Sequence, residues 1–193
     1  MTPYAAPPSG NLEIAGAEVA IATGTAANIA ADSADRSTPS GMLDMLVAWF
    51  GDGGELPPPV AGNPAEALRA GISWSSAAMG CMAYGSPTFG AKRAPARARP
   101  VIDWEADRAI IHADFLRFYR IDLSSEDPHW YTFCSLLLAL VRTEGSLVGQ
   151  AAYARSPHDG ARGEQRKRLD KLRGAWALPP TDAELREMAR ARF

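Results

Sequence analysis

Near the start of the chain, apolar residues alternate with polar ones. Leu12 and Ile14, then Val19 and Ile21, flank Ala15-Gly16, which predicts a short β-hairpin. A lone hairpin is marginal in water and must pack on another element. Beyond it the spacing turns helical. Gly41–Phe50 (GMLDMLVAWF) predicts a first helix with Ser40 as N-cap, ended by the glycines after Phe50 and kept from resuming by Pro57–Pro59. Asn63-Pro64-Ala65-Glu66 predicts a second start, with Asn63 as N-cap and Glu66 closing a capping box. This helix runs through Leu68, Ile72 and Met79 towards Tyr84.

A third region has the strongest pattern. Trp104, Ile111, Phe115 and Phe118 recur at helical spacing behind Asp103, a cap candidate. Ile121–Ser125 breaks the pattern, and Ser125 is placed to cap the next helix, with Pro128 in its first turn. Trp130, Phe133, Cys134, Leu137 and Val141 form one face there, which Tyr131, Leu136 and Leu138 widen. That helix is expected to be buried on more than one side. A short helix over Gly145–Arg155, a turn over Ser156–Gly163, a basic helix over Glu164–Arg173 and a last helix behind Thr181 and Glu184 complete the reading.

The expected fold is mostly α: a helical bundle with a short N-terminal β-hairpin and a Pro/Arg-rich linker. Residues 1–10 read as a disordered lead-in, 11–84 as hairpin plus helices, 85–100 as a basic linker, 101–179 as the helical core region and 180–193 as a C-terminal helix.

Composition changes this picture in three ways. The 193 residues suffice to enclose a real core. No run approaches about 18 uninterrupted apolar residues, so no membrane-spanning helix is expected. The N-terminus lacks the basic and apolar regions of a secretory signal, and Cys81 and Cys134 read as buried thiols, so a cytoplasmic location is expected. Charge is uneven. Residues 1–90 carry two basic and eight acidic side chains, a net of −6, whereas 91–193 carry eighteen and fourteen, a net of +4. Such asymmetry suits an electrostatic partner or contact between the halves.

Candidate chemistry is sparse. There is no phosphate-binding loop, dinucleotide fingerprint, zinc spacing or nucleophile elbow. No catalytic, cofactor-binding or metal residue is assigned, and an enzyme is not expected. His112 reads as a helix-surface residue and His129 as a group that caps or orients the helix at Trp130. Asp103, Glu105 and Asp107 could in principle form a metal or acid–base site, but carboxylates in a first helical turn are favoured by the helix dipole. Asp122 and Asp127 read as turn and cap residues. The basic stretch 155–173, with Arg155, Arg166, Arg168 and Arg173, could meet nucleic acid or an acidic protein surface, including the chain's own N-terminal half.

Three motifs carry a family resemblance: Asp103-Trp104-Glu105, then Tyr119-Arg120-Ile121-Asp122-Leu123, then His129-Trp130-Tyr131-Thr132-Phe133. They resemble the phage gene product fifteen family, which is similar to tail-assembly chaperones. The specific block is 103–133, and looser similarity extends over most of 11–179. Family-motif core positions are Trp104, Phe115, Tyr119, Ile121, Asp122, Leu123, His129, Trp130 and Phe133. Two residues depart from the pattern. Tyr131 replaces a tryptophan. Arg120 replaces a glycine, which at a positive-φ site costs roughly 1 kcal/mol or more, so a local change in the turn is expected.

The resemblance implies a phage tail-assembly chaperone in the host bacterial cytoplasm. Such a protein binds the tape-measure protein, meets the major tail protein and needs no cofactor. Self-association is compatible with it. Met42, Met45, Leu46 and Phe50, the 176–193 tail, and Arg166, Arg168 and Arg173 are partner-contact candidates. The alternatives are a virion structural component (tube or completion protein) and a small nucleic-acid-binding protein using 155–173.

Overall fold

A computed structural model of the chain describes residues 7–79, 101–158, 160–180 and 182–191. Cys81, Tyr84, the 85–100 linker, Thr181 and most of the N-terminal lead-in lie outside them. Within the described residues the fold is mostly α, with one two-stranded antiparallel hairpin.

Strands β1 (Asn11–Ile14) and β2 (Ala17–Ala20) pair with Leu12 opposite Val19 and Ile14 opposite Ala17. The two-residue turn puts Ala15 at φ 51° and Gly16 at φ 77°, the twist that suits a tight hairpin. Glu66 is not the capping-box residue expected. Its Oε1 accepts the Ala15 N–H at 3.1 Å and so holds this left-handed turn in place.

Helix α1 (Thr25–Ser33) has no counterpart in the sequence reading. Its sequence, TAANIAADS, lacks a broad apolar stripe, and tertiary contacts decide its conformation. Asn28 is buried. It donates to the Ala22 and Gly24 carbonyls and accepts from Trp49 Nε1 at 3.1 Å, so every part of its amide is used. Trp49 lies on α2 (Pro39–Phe50), whose N-cap is Thr38, not Ser40. Thr38 Oγ1 accepts the Gly41 N–H, with Pro39 in the first turn.

Pro58 and Pro59 open a short helix, α3 (Pro58–Gly62), where the sequence suggested only a block. The first turn of a helix leaves its N–H groups unpaired anyway, so prolines fit there. Helix α4 (Pro64–Ala78) follows. Asn63 precedes it without capping it, because its Nδ2 donates back to the Pro59 carbonyl. Gly71 lies flat against the Trp49 ring, which lets α4 approach α2 closely.

The second half begins with a turn at 104–107, so α5 (Arg108–Asp114) starts later than Asp103. The helix widens into a π-helical turn over Phe115–Tyr119 and stops at Arg120, which stands in the left-handed region at φ 62°, ψ 24°. The positive-φ stop is thus kept without its glycine. Helix α6 (Trp130–Arg142) is capped by His129, not Ser125. His129 Nδ1 accepts the Tyr131 N–H at 3.1 Å, whereas Ser125 belongs to the preceding turn and donates to the Asp122 carbonyl. Helices α7 (Leu147–Arg155), α8 (Gly163–Ala175) and α9 (Asp182–Arg190) follow.

One continuous core joins both halves. It runs from Ile14, Val19 and Ile21 through Trp49, Phe50 and Trp74 to Phe115, Trp130, Phe133, Leu137 and Val148. Full burial of each large apolar side chain contributes roughly 1.5–3 kcal/mol, so the 101–155 helices and the 9–79 segment stabilise one another. No single described helix is long and apolar enough to cross a membrane.

Candidate functional site

The aromatic block is a packed stack. Phe115 and Phe133 stack at 4.9 Å, and Trp130 and Phe133 at 5.5 Å. Trp104 meets Trp130 edge-on at 5.9 Å, and Tyr119 meets Phe115 edge-on at 5.6 Å. Phe115, Trp130 and Phe133 have no solvent exposure. Such offset and edge contacts add roughly 0.5–1.5 kcal/mol each beyond area burial. The family-motif residues are therefore first a core.

A short ladder from the N-terminal segment positions this core. Trp130 N donates to the Thr23 carbonyl at 2.7 Å and Thr25 N to the Pro128 carbonyl at 3.0 Å. Asp127 Oδ1 accepts the Ala26 N–H at 2.9 Å and so caps α1 from 101 residues away. Asp127 is a cap, as read from sequence, though of α1 rather than of a local helix. Trp104 Nε1 reaches Asp32 on α1 at 2.8 Å, and Tyr119 Oη donates to the Leu136 carbonyl at 3.0 Å. Burial, and then the charge of Asp114, push the Tyr119 phenol above its ordinary pKa of 10.0.

The acidic trio is taken apart by the fold. Asp103 Oδ1 accepts the N–H groups of Glu105 and Ala106. Asp107 turns inward to Arg155. Its two carboxylate oxygens take the guanidinium at 2.5 and 2.9 Å, and the same arginine also donates to the Val101 and Trp176 carbonyls. Arg155 is therefore an internal clasp and not part of a basic surface. Asp114 is also buried. Its Oδ2 accepts from Ser146 Oγ and Val148 N, placing a carboxylate at the α7 N-terminus, where the helix dipole favours it. Neither Asp107 nor Asp114 was read from sequence as a buried partner. For Asp114 the available signal is a lone acid among apolar positions, whereas Asp107 is masked by the acidic residues before it.

His112 lies at the surface, 3.8 Å from Asp122. Asp122 also accepts from the Ser124 hydroxyl and N–H, and these bonds, with His112 adding a little, hold its pKa below 3.8. Ile121 and Leu123 are half-buried against the core. His158 Nε2 sits 2.7 Å from the Tyr153 carbonyl. Among the described residues no group of three or more His, Cys, Asp or Glu is placed to hold a metal.

The partner-contact candidates divide. Met45, Leu46 and Phe50 are buried in the chain's own core, because positions 45, 46, 49 and 50 form the inner face of α2. They offer no contact surface, which corrects that expectation. Met42 remains outside at 40 % exposure, and Leu43 beside it, which the sequence reading passed over, reaches 51 %. Arg166 and Arg168 are exposed on α8. The described ion pairs of α8 run along the helix itself, Lys167 to Glu164 and Arg166 and Arg173 to Asp170, and none reaches the N-terminal half. Arg173 also donates to the Ala154 and Ser156 carbonyls and so secures the end of α7. In the tail, Leu185 and Met188 are each 48 % exposed. A shallow open groove there is lined by Leu178, Pro180, Glu184, Glu187, Met188 and Ala191.

No curated protein and no solved structure shows significant similarity to the chain. A family model does match. Residues 84–178 match the family described as Bacteriophage Gp15 protein, a span that contains all three sequence motifs and the whole aromatic stack, while the looser similarity over 11–83 lies outside it. Through these residues the chain belongs to the bacteriophage Gp15 protein family.

Proposed function

We propose that this phage protein is a tail-assembly chaperone that binds the tape-measure protein during tail morphogenesis and is not an enzyme. The observation that carries the reading is the family match over 84–178. The surface is compatible with it. The aromatics of the family motifs mostly belong to the core, and the large apolar side chains that remain exposed among the described residues are Met42, Leu43, Ile72, Leu116, Tyr153, Leu185 and Met188, beside the basic side chains of α8. Adaptable Met and Leu contacts suit a client that must later be released. Co-expression with a tape-measure fragment tests the reading. The fragment should co-purify and gain solubility. A folded chain that does neither removes the chaperone role. Mass spectrometry of mature particles separates it from a virion structural component, since a chaperone is absent from them.

A further inference from the structure

We propose that α9 of one copy docks on the Met42–Leu43 edge of α2 in a second copy, a head-to-tail contact between unlike surfaces of the same chain. Helix α9 has nine residues, and none of its described side chains is buried. A helix that short is marginal in water unless its apolar face is covered. Leu185 and Met188, three apart, form that face. On one side of it, Glu184 and Glu187, together with Met188 itself, line the groove towards the chain's own Leu178 and Pro180, while Met188 keeps 48 % of its surface exposed. On the other side stand Arg186 and Arg190, exposed and without an ion pair among the described residues. The outward surface is thus apolar with a basic border.

The α2 edge is its complement. Met42 and Leu43 point outward, and Asp44 follows them, exposed and unpaired among the described residues. The same complementarity holds at larger scale, with −6 on residues 1–90 and +4 on 91–193, and none of the ion pairs between described residues joins the two. Both surfaces stay exposed in a single chain. Because they differ, each copy that docks through one leaves the other free, so the contact propagates into a ring or filament and does not stop at a two-fold dimer. So small a seam falls below the roughly 800 Å² per partner of stable complexes, so the association is weak, concentration-dependent and salt-sensitive.

Sedimentation equilibrium of the full chain, with circular dichroism to confirm folding, tests this. Wild type should exceed its 20.6 kDa monomer mass increasingly up to about 1 mM and return towards it in high salt. Leu43→Asp and Met188→Asp should each be monomeric alone. Mixed one to one, they should form a dimer and nothing larger, because each keeps the surface the other lacks. A monomeric wild type overturns the proposal. So does Leu43→Asp that associates like wild type, the result expected if α9 pairs with itself or with a different surface. So does a mixture that stays monomeric. None of these outcomes depends on the tape-measure protein.

Discussion

Arg155 holds Asp107 with both ends of its guanidinium, at 2.5 and 2.9 Å, where both side chains are nearly sealed from water. The pair closes α7 onto the turn that leads into α5, and two carbonyls complete the arginine's hydrogen bonding. Removing the cation strands a buried carboxylate, which costs about 3–5 kcal/mol. Arg155→Ala should therefore lower the unfolding midpoint by about 10 °C or more in calorimetry. Lysine should rescue little, since it lacks the planar fork. Replacing both partners together, Asp107→Leu with Arg155→Met, should cost less than Arg155→Ala alone. If it costs more, desolvated charge is not the reason the single change hurts.

Arg120 occupies the left-handed region at φ 62° with an ordinary side chain. Its backbone N–H donates to the Leu116 carbonyl and ends the π-helical turn. Glycine reaches this conformation without a Cβ penalty. Arg120→Gly should stabilise the chain by about 1 kcal/mol, a rise of about 2–4 °C in midpoint. Arg120→Ala should give no such gain, because alanine keeps the Cβ. A neutral or destabilising glycine would show that the arginine side chain makes a compensating contact.

Gly24 packs against the Asp127 carboxylate that caps α1, and a Cβ there would collide with it. Its φ is −71°, which any residue adopts, so the demand is steric. Gly24→Ala should cost about 1–3 kcal/mol by overpacking. In urea unfolding, adding Asp127→Ala should recover part of that loss. Strict additivity of the two changes would place the clash elsewhere.

Asp122 has a lowered pKa, chiefly through the Ser124 hydroxyl. A carboxylate with a depressed folded pKa contributes its stability in full above the unfolded value of about 3.8. That contribution fades as pH falls through the lower folded value. Carboxyl carbon titration by NMR should show Asp122 titrating below 3.8, and Ser124→Ala should move it upward. An unmoved midpoint would assign the shift to the backbone N–H or to His112.

Local chemistry made much of this protein legible. The hairpin shows in Leu12, Ile14, Val19 and Ile21, and the buried face of α6 shows in the spacing of Trp130, Phe133, Cys134 and Leu137, because periodicity is a property of one element at a time. The motifs from Trp104 to Phe133 identified the family for the same reason. Tertiary structure alone decided what depends on distant partners. Helix α1 has too weak an apolar pattern to announce itself and exists through Trp49, Asp127 and Pro128. Glu66 and Asp127 carry cap-like local signals, yet each serves an element far from it in sequence, since a carboxylate takes whichever N–H the fold presents. Met45, Leu46 and Phe50 look like a sticky surface in one dimension and are interior in three. Which apolar residues stay outside is set by the elements that pack over them, and periodicity does not record those.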